Sequence, residues 1–191
     1  WMQGMLSSLT EFKFDPSISL GYEKRIERVR ALPERLDKFG IKLYLYLNEP
    51  RCMPSAFFDA HPELLGRRDV DYSALCTQHP AVMAYLRGAV RTLCESAPGL
   101  GGFFAITCSE NLTHCKSKMT GEECPVCRDI PIENLIAEVL SAISEESRAV
   151  DPAIRTVAWT WAWDDYMTEE QIRACIDMIP REVVLQSNSE A

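Results

Sequence analysis

The strongest restriction on the fold is an alternation of short apolar runs with amphipathic helical patterns. The runs are continuous in apolar residues, which is typical of strands buried on both faces of a parallel sheet. A pattern with apolar residues at three- and four-residue steps precedes each run and predicts a helix. The runs span 41–47, 102–108, 156–163 and 183–186, and the helical patterns begin near Glu23, Pro80, Pro131 and Thr168.

This alternation predicts an α/β fold in which right-handed helical crossovers join parallel strands. A doubly wound sheet and a (β/α)8 barrel both satisfy the pattern. No glycine-rich phosphate loop follows any run, and polar, acidic and aromatic residues follow them instead. We therefore expect a partial (β/α)8 TIM barrel of about four βα units. Because a whole barrel needs about 250 residues, we expect residues 1–191 to form a single, incomplete domain with a cysteine-rich loop at 108–127.

Charge and composition exclude several classes of protein. The chain has 28 acidic and 20 basic residues, a formal net charge of −8 and no basic cluster, so nucleic acid is not an expected partner. No apolar run approaches the roughly 18 residues that span a bilayer, so no membrane-spanning segment is expected. No feature of the sequence predicts an oligomeric state.

The cysteines divide into a scattered group and a cluster. Five of the eight are scattered, mostly among apolar residues, which favours reduced core thiols and a reducing compartment such as the cytoplasm. Cys115, Cys124 and Cys127 follow the second run together with His114. A Cys-x2-Cys pair with a further Cys and His nearby matches tetrahedral zinc ligation. We predict a structural zinc site formed by these four residues, with a disulfide from Cys115 to the pair, or free thiols, as alternatives; no cofactor is predicted for catalysis.

Carboxylates and indoles follow the ends of the apolar runs. Because the carboxyl ends of parallel strands meet at one edge of a sheet, we expect these side chains to share a rim. Two carboxyl groups that flank a glycosidic bond can hydrolyse it, and an indole can stack on a sugar ring. The predicted substrate is therefore a carbohydrate. The predicted site residues are Glu49 and Arg51 after the first run, Ser109, Glu110 and Asn111 after the second, Trp161, Trp163 and Asp164 after the third, Glu190 after the fourth, and His61 from the first loop.

Each of these residues also has an ordinary structural interpretation. A single Glu after a strand is often a helix N-terminal or solvated loop residue. Trp159, Trp161 and Trp163 alternate at strand spacing, so they are also consistent with one core-facing side of a strand. The occurrence of polar residues after all four runs favours an active site.

Several stretches resemble the family 20 glycoside hydrolases, the β-N-acetylhexosaminidases. They are Gly40–Pro50 with His61–Leu64, Ala74–Cys76, Gly101–Glu110 followed by Cys124–Cys127, and Val157–Asp164. The resemblance implies a TIM-barrel catalytic domain. It also implies that Glu110 is the general acid that protonates the leaving glycosidic oxygen.

The chain departs from that family at Ser109. The family has an Asp at this position, which stabilises the 2-acetamido group of the substrate, and serine lacks the charge for that role. The resemblance therefore implies a divergent relative that takes another sugar or uses another second carboxylate, for which Glu49, Asp164 and Glu190 are candidates. Asn48-Glu49-Pro50 also resembles the acid/base motif of the large clan of retaining glycosidases, which makes Glu49 the second candidate for acid/base.

The predicted activity is thus glycosidic bond cleavage by carboxylate general acid/base catalysis. The alternative is a non-catalytic carbohydrate-binding relative, which the loss of the paired carboxylate at Ser109 favours. A barrel lyase or isomerase is a weaker third possibility. It usually needs a metal or a Lys at a strand end to stabilise an enolate, and no Lys follows any of the four runs.

Overall fold

A five-stranded parallel sheet forms the centre of the chain. The structure, a computed structural model, describes residues 2–3, 5–109, 111–118 and 120–187. The strands are β1 (Met2–Gln3), β2 (Tyr44–Leu47), β3 (Met53–Pro54), β4 (Tyr72–Ser73), β5 (Gly102–Ile106), β6 (Arg155–Trp159) and β7 (Val184–Gln186). The main sheet has the order β1-β2-β5-β6-β7 with every pair parallel, and β3 and β4 form a separate antiparallel pair. The predicted α/β fold with parallel strands is confirmed, and each of the four apolar runs contains a strand.

The described residues form six α-helices, two of which begin where a proline or a capping pair predicts. They are α1 (Leu6–Leu9), α2 (Tyr22–Asp37), α3 (Pro80–Ser96), α4 (Ile132–Val150), α5 (Trp163–Tyr166) and α6 (Glu169–Met178), with 3-10 turns at Pro16–Ser19, Ser55–Asp59 and Pro62–Leu64. Pro80 opens α3, because proline at a first helical position loses no hydrogen bond. Thr168 and Gln171 form the predicted capping box of α6. In the part of the chain that the structure describes, no helix has both the length and the apolar character to cross a membrane.

The longer helices pack against one face of the sheet. The strand order follows the order along the chain, and right-handed crossovers that step in one direction place successive helices on the same side. Helices that follow one another also pack together: α2 with α3, α3 with α4, and α4 with α6. The order of the described strands contains no reversal of the kind that defines a doubly wound sheet.

The hydrophobic core lies between the sheet and these helices. Leu45 and Leu47 of β2 and Phe103 of β5 are buried in one cluster with the apolar faces of α3 and α4. Because successive side chains of a strand point to opposite faces, Tyr46 and Phe104 lie on the face away from the helices. One face of these strands therefore packs against the helices, and the other face carries the aromatic side chains of Tyr46 and Phe104.

Two strands differ from the sequence-based expectation. The run predicted at 156–163 forms a strand only as far as Trp159, because the chain turns at Ala162, where φ is +58°, and continues into α5. The run at 183–186 is predicted to be buried, whereas Val184 and Leu185 are each 40% exposed. Within the described residues β7 pairs with β6 alone and lies at an edge of the sheet, which explains this exposure.

Candidate functional site

Four buried cysteines meet between the loop that precedes α3 and the loop that follows β5. Cys76 belongs to the first loop, and Cys115, Cys124 and Cys127 belong to the second. Their Sγ atoms all lie within 4.8 Å of one another, and each residue is at most 3% exposed. Four shielded thiols at this spacing could hold a metal ion such as zinc. We call this group the four-cysteine cluster.

The sulfur–sulfur distances in the cluster fit metal ligation. The Sγ atom of Cys76 lies 3.7 Å from that of Cys127 and 3.9 Å from that of Cys124. A regular tetrahedron with zinc–sulfur bonds of about 2.3 Å places its sulfurs about 3.8 Å apart. A disulfide bond would need about 2.05 Å. All eight cysteines are free, so the disulfide considered from the sequence is not formed.

Contacts among the four thiols separate their pKa values. A hydrogen bond with Cys115, and to a smaller extent one with Cys127, lowers the pKa of the Cys76 thiol. Hydrogen bonds with Cys124, Cys127 and Cys76 raise the pKa of Cys115. Protons are thus shared unevenly within the cluster, and a bound cation would displace those that remain, because thiolates are the ligands of metals.

In the structure the fourth position of the cluster is taken by Cys76 and not by the predicted His114. His114 is fully buried, and its Nδ1 atom accepts a hydrogen bond of 3.2 Å from the backbone amide of Lys116. Burial lowers the pKa of His114 to about 3, so the ring is neutral. Its Nε2 atom has no hydrogen-bond partner among the described residues. His114 is therefore a neutral buried ring of this loop that lies outside the group of four thiols.

Contacts from the segment that precedes β4 hold the cysteine-bearing loop in place. The Nε atom of Arg67 donates to the carbonyl oxygen of Cys115 at 2.8 Å. Arg68 and Glu122 exchange backbone hydrogen bonds of 3.0 and 2.7 Å. Gly66 lies so close that a Cβ atom added there would be 2.6 Å from Sγ of Cys115. The segment 66–68 is therefore joined to the second cysteine-bearing loop by backbone hydrogen bonds and close packing.

Glu49 occupies a buried position at the carboxyl end of β2. Its Oε1 atom accepts a hydrogen bond of 2.9 Å from the amide of Leu6, the first residue of α1. Its Oε2 atom accepts one of the same length from the amide of Arg51. The residue is 3% exposed, and burial raises its pKa to about 7 against the effect of both amides. The carboxyl group therefore connects the end of β2 to the start of α1. Glu49, predicted as the second candidate for acid/base, has a structural role in this arrangement.

Arg51 and Asn111, two predicted substrate-binding residues, line one cavity of about 550 Å³. The amide of Asn111 donates to Oγ of Ser109, which is buried, at 3.2 Å. We call this space the two-walled cavity, because its lining comes from two segments besides the end of β2. Its lining residues are Met5, Arg51, Cys52, Asp69, Val70, Asp71, Tyr72, Asn111, Leu112 and Lys118.

Trp161, Trp163 and Asp164 line a second cavity of about 740 Å³ between the end of β6 and α6. Their environments differ. Trp161 is 43% exposed, whereas Trp163 is buried and its Nε1 atom donates to Oγ1 of Thr107 at 3.0 Å. The tryptophans therefore do not alternate on one strand face, and Trp163 anchors α5 to the end of β5.

Aromatic rings form a row across the sheet on the face away from the helices. Tyr46 and Phe104 are stacked with centroids 6.0 Å apart, Phe104 lies 5.4 Å from Trp159, and Trp159 lies 5.0 Å from Trp161. The row crosses β2, β5 and β6 and ends at the exposed ring of Trp161. We call these four residues the aromatic row.

The remaining predicted site residues lie elsewhere. The ring of His61 stacks on Phe57 at 4.7 Å, with its Nδ1 atom 3.6 Å from Oε1 of Glu63, and it lines neither of the two cavities. Glu110 and Glu190 lie outside the described residues. The structure thus brings the predicted residues together in two groups, at the two-walled cavity and beside α6, rather than around Glu49.

Two parts of this arrangement were missed by sequence reasoning. Cys76 lies 51 residues before Cys127, so no local spacing motif links them. Tyr46 and Phe104 lie within apolar runs, where an aromatic residue is an ordinary strand residue. Their positions in the strands could have identified them, because both side chains point to the face of the sheet opposite to Leu45 and Phe103.

Comparison with known proteins assigns no family to the chain. No protein-family model matches it, and no curated protein matches it.

Proposed function

We propose that the chain is a glycoside hydrolase-like domain, part of a (β/α)8 barrel, that binds a carbohydrate on the helix-free face and carboxyl edge of its sheet. The aromatic row is the observation that carries this proposal. Trp161 is 43% exposed and offers an apolar ring face to the C–H groups of a sugar unit, and its contact with Trp159 fixes it at the end of the row.

Glu110 supplies the general acid in this proposal, because in the sequence it directly follows Ser109, which comes shortly after the carboxyl end of β5. Glu49 is already bonded to the amides of Leu6 and Arg51, so a second carboxylate is better sought at Asp164 or Glu190. Asp164 is exposed beside Trp161, at a cavity large enough for a sugar ring.

The four-cysteine cluster is proposed to hold a structural zinc ion. Four thiolates complete the coordination of zinc and leave no open position for a substrate, as in other structural sites. When bound, the ion would tie the loop before α3 to the loop after β5. We expect one zinc per chain in protein purified without chelators, and replacement by cobalt should give the visible absorption bands of tetrahedral thiolate ligation. Folded protein that is purified without chelators and carries no metal would contradict this part.

The carbohydrate proposal is tested by binding and product analysis on neutral oligosaccharides and aryl glycosides. We expect the wild-type chain to bind a subset of them and release shorter products. Glu110→Gln should lower the rate by about 10²–10⁴ on a substrate with a poor leaving group and leave binding intact. Trp161→Ala should weaken binding, whereas Phe39→Ala, which removes an aromatic ring that is 79% exposed and outside the row, should not.

The outcomes separate an enzyme from a binding domain. Cleavage that persists unchanged in Glu110→Gln removes this residue from the mechanism. Binding without cleavage supports the second candidate, a carbohydrate-binding relative, which is favoured by the uncharged Ser109 beside Glu110. A wild-type chain that neither binds nor cleaves any of these compounds contradicts both.

A further inference from the structure

The two-walled cavity and the four-cysteine cluster share their supporting segments. One wall of the cavity is the segment 69–72, and the other is the segment 111–118. Cys76 follows the first wall by four residues along the chain, and Cys115 lies inside the second. A metal ion bound by the cluster would therefore connect the two walls through Cys76 and Cys115.

Polar contacts in and next to the walls also join these two segments of the chain. The Oγ1 atom of Thr120 donates to Oδ2 of Asp69 at 2.8 Å, and the Nζ atom of Lys118 lies 3.7 Å from the same oxygen. Arg67 adds its hydrogen bond to the carbonyl of Cys115. Arg68 and Glu122 add two backbone hydrogen bonds, and a metal ion held by the four thiols would be a further connection between the same segments.

We propose that the two-walled cavity is a binding subsite for a neutral sugar unit, and that a metal ion in the four-cysteine cluster keeps its walls in the binding geometry. This inference rests on the proposed carbohydrate function. It adds the location of one subsite and makes ligand binding there dependent on metal occupancy.

The lining of the cavity indicates the chemistry of its ligand. Arg51 and Lys118 are balanced by Asp69 and Asp71, so the lining carries no excess charge that would select an ion. Tyr72 is 54% exposed and offers an aromatic face. Planar polar side chains beside an aromatic ring suit a ligand with many hydroxyl groups and an apolar ring face. About 550 Å³ is enough space for one or two sugar units.

The experiment follows binding of neutral pentasaccharides of glucose, mannose, xylose and N-acetylglucosamine to the isotope-labelled full chain by NMR. We expect shifts at residues 69–72 and 111–118 on binding. Tyr72→Ala should weaken binding about three- to tenfold. Removal of zinc by a chelator should weaken it at least about tenfold and increase hydrogen exchange in both walls, and restoring zinc should reverse both effects.

A second variant covers the case in which metal-free protein unfolds. Thr120→Val removes the bond to Asp69 without touching a cysteine or a residue that lines the cavity, and it should weaken binding about threefold. Thr92→Val, an exposed position on α3, is the matched control and should leave binding unchanged.

Three results would overturn these statements, and they are distinguishable. If no pentasaccharide binds anywhere, the proposed carbohydrate function fails. If binding occurs but responds to Trp161→Ala and not to Tyr72→Ala, that function stands and the cavity is not the subsite. If Tyr72→Ala weakens binding whereas folded metal-free protein and Thr120→Val bind as the wild type does, the dependence on metal is wrong.

Discussion

The guanidinium group of Arg67 donates a hydrogen bond of 2.8 Å from its Nε atom to the carbonyl oxygen of Cys115. It also donates to the carbonyl oxygen of Thr120 at 3.2 Å, and Arg67 is only 5% exposed. A planar group with several fixed donors can satisfy two carbonyl oxygens at once. One buried side chain thereby holds the backbone at Cys115 and again at Thr120, later in the same loop.

Replacing Arg67 by Lys is expected to lower the free energy of unfolding by about 2–4 kcal/mol, because a single ammonium cannot reach both carbonyl groups and leaves one buried acceptor unpaired. Arg68→Lys is the control. Arg68 is exposed and its Nε atom lies 3.9 Å from Glu122, so the change should stay within about 0.5 kcal/mol. Urea unfolding of metal-loaded protein measures both, and equal effects of the two variants would contradict the role of Arg67.

Gly66→Ala is expected to disturb the four-cysteine cluster. The new Cβ atom would lie 2.6 Å from Sγ of Cys115 and 2.9 Å from the carbonyl oxygen of Ala74, so sulfur or backbone must move. We expect weaker zinc binding and a loss of at least about 1–3 kcal/mol of unfolding free energy. Gly88→Ala on α3 meets no atom within 4 Å and should stabilise by about 0.5–1 kcal/mol. Competition with a chromogenic chelator measures zinc affinity, and an unchanged affinity in Gly66→Ala would sink the prediction.

Cys76→Ser should remove one ligand of the cluster although this residue is far from the other three in sequence. Zinc affinity should fall by at least about 100-fold, because a serine hydroxyl is a much poorer zinc ligand than a thiolate. Cys52→Ser, which changes a half-buried cysteine outside the cluster, should retain full zinc content. Metal content after gel filtration gives the comparison. Retention of one tightly bound zinc in Cys76→Ser would assign the fourth ligand elsewhere, with His114 as the first residue to examine.

Glu49 makes the stability of the chain depend on pH near neutrality. Burial raises its pKa from 4.5 to about 7, so the folded chain retains a proton that the unfolded chain releases. The contribution of Glu49 to stability is therefore fully present below about pH 4.5 and is lost as the pH rises through 7. The magnitude over this window is about 3 kcal/mol.

The difference in unfolding free energy between wild type and Glu49→Gln isolates this effect, because contributions of other groups cancel. We expect the wild type to lose stability relative to the variant as the pH rises from 4.5 to 8. Glu27→Gln, the same change at an exposed position on α2, is the matched control. A flat difference for Glu49→Gln in urea titrations across this range would show that its pKa is not raised.

Elements with a strong local pattern could be predicted from the sequence. The strands at 44–47 and 102–106 follow from continuous apolar runs, and the starts of α3 and α6 follow from Pro80 and the Thr168–Gln171 pair. These features depend on neighbours within a few residues. The exposure of β7 could not be predicted in this way, because it depends on which strand, if any, lies beside it.

The candidate site was predictable only where its residues are close in sequence. Cys115, Cys124 and Cys127 were identified by spacing, whereas Cys76 joins them through tertiary packing of the loop before α3. His114 adjoins Cys115 in the sequence, yet the chain bends and turns here and its ring lies outside the group of four thiols. Trp161 and Trp163 are both predicted substrate-binding residues, but the turn at Ala162 places the ring of Trp163 in the core and leaves Trp161 exposed.

The long separation between Cys76 and Cys127 has a consequence for biosynthesis. The growing chain lacks the last of the four thiols until residue 127 has left the ribosome, so the cluster is incomplete up to that point. Because we propose that the cluster holds zinc, we expect chains made in cells short of zinc to have a metal-free cysteine-bearing loop that proteases can attack. Metal supply would thus set how much of this protein survives, independently of how much is made.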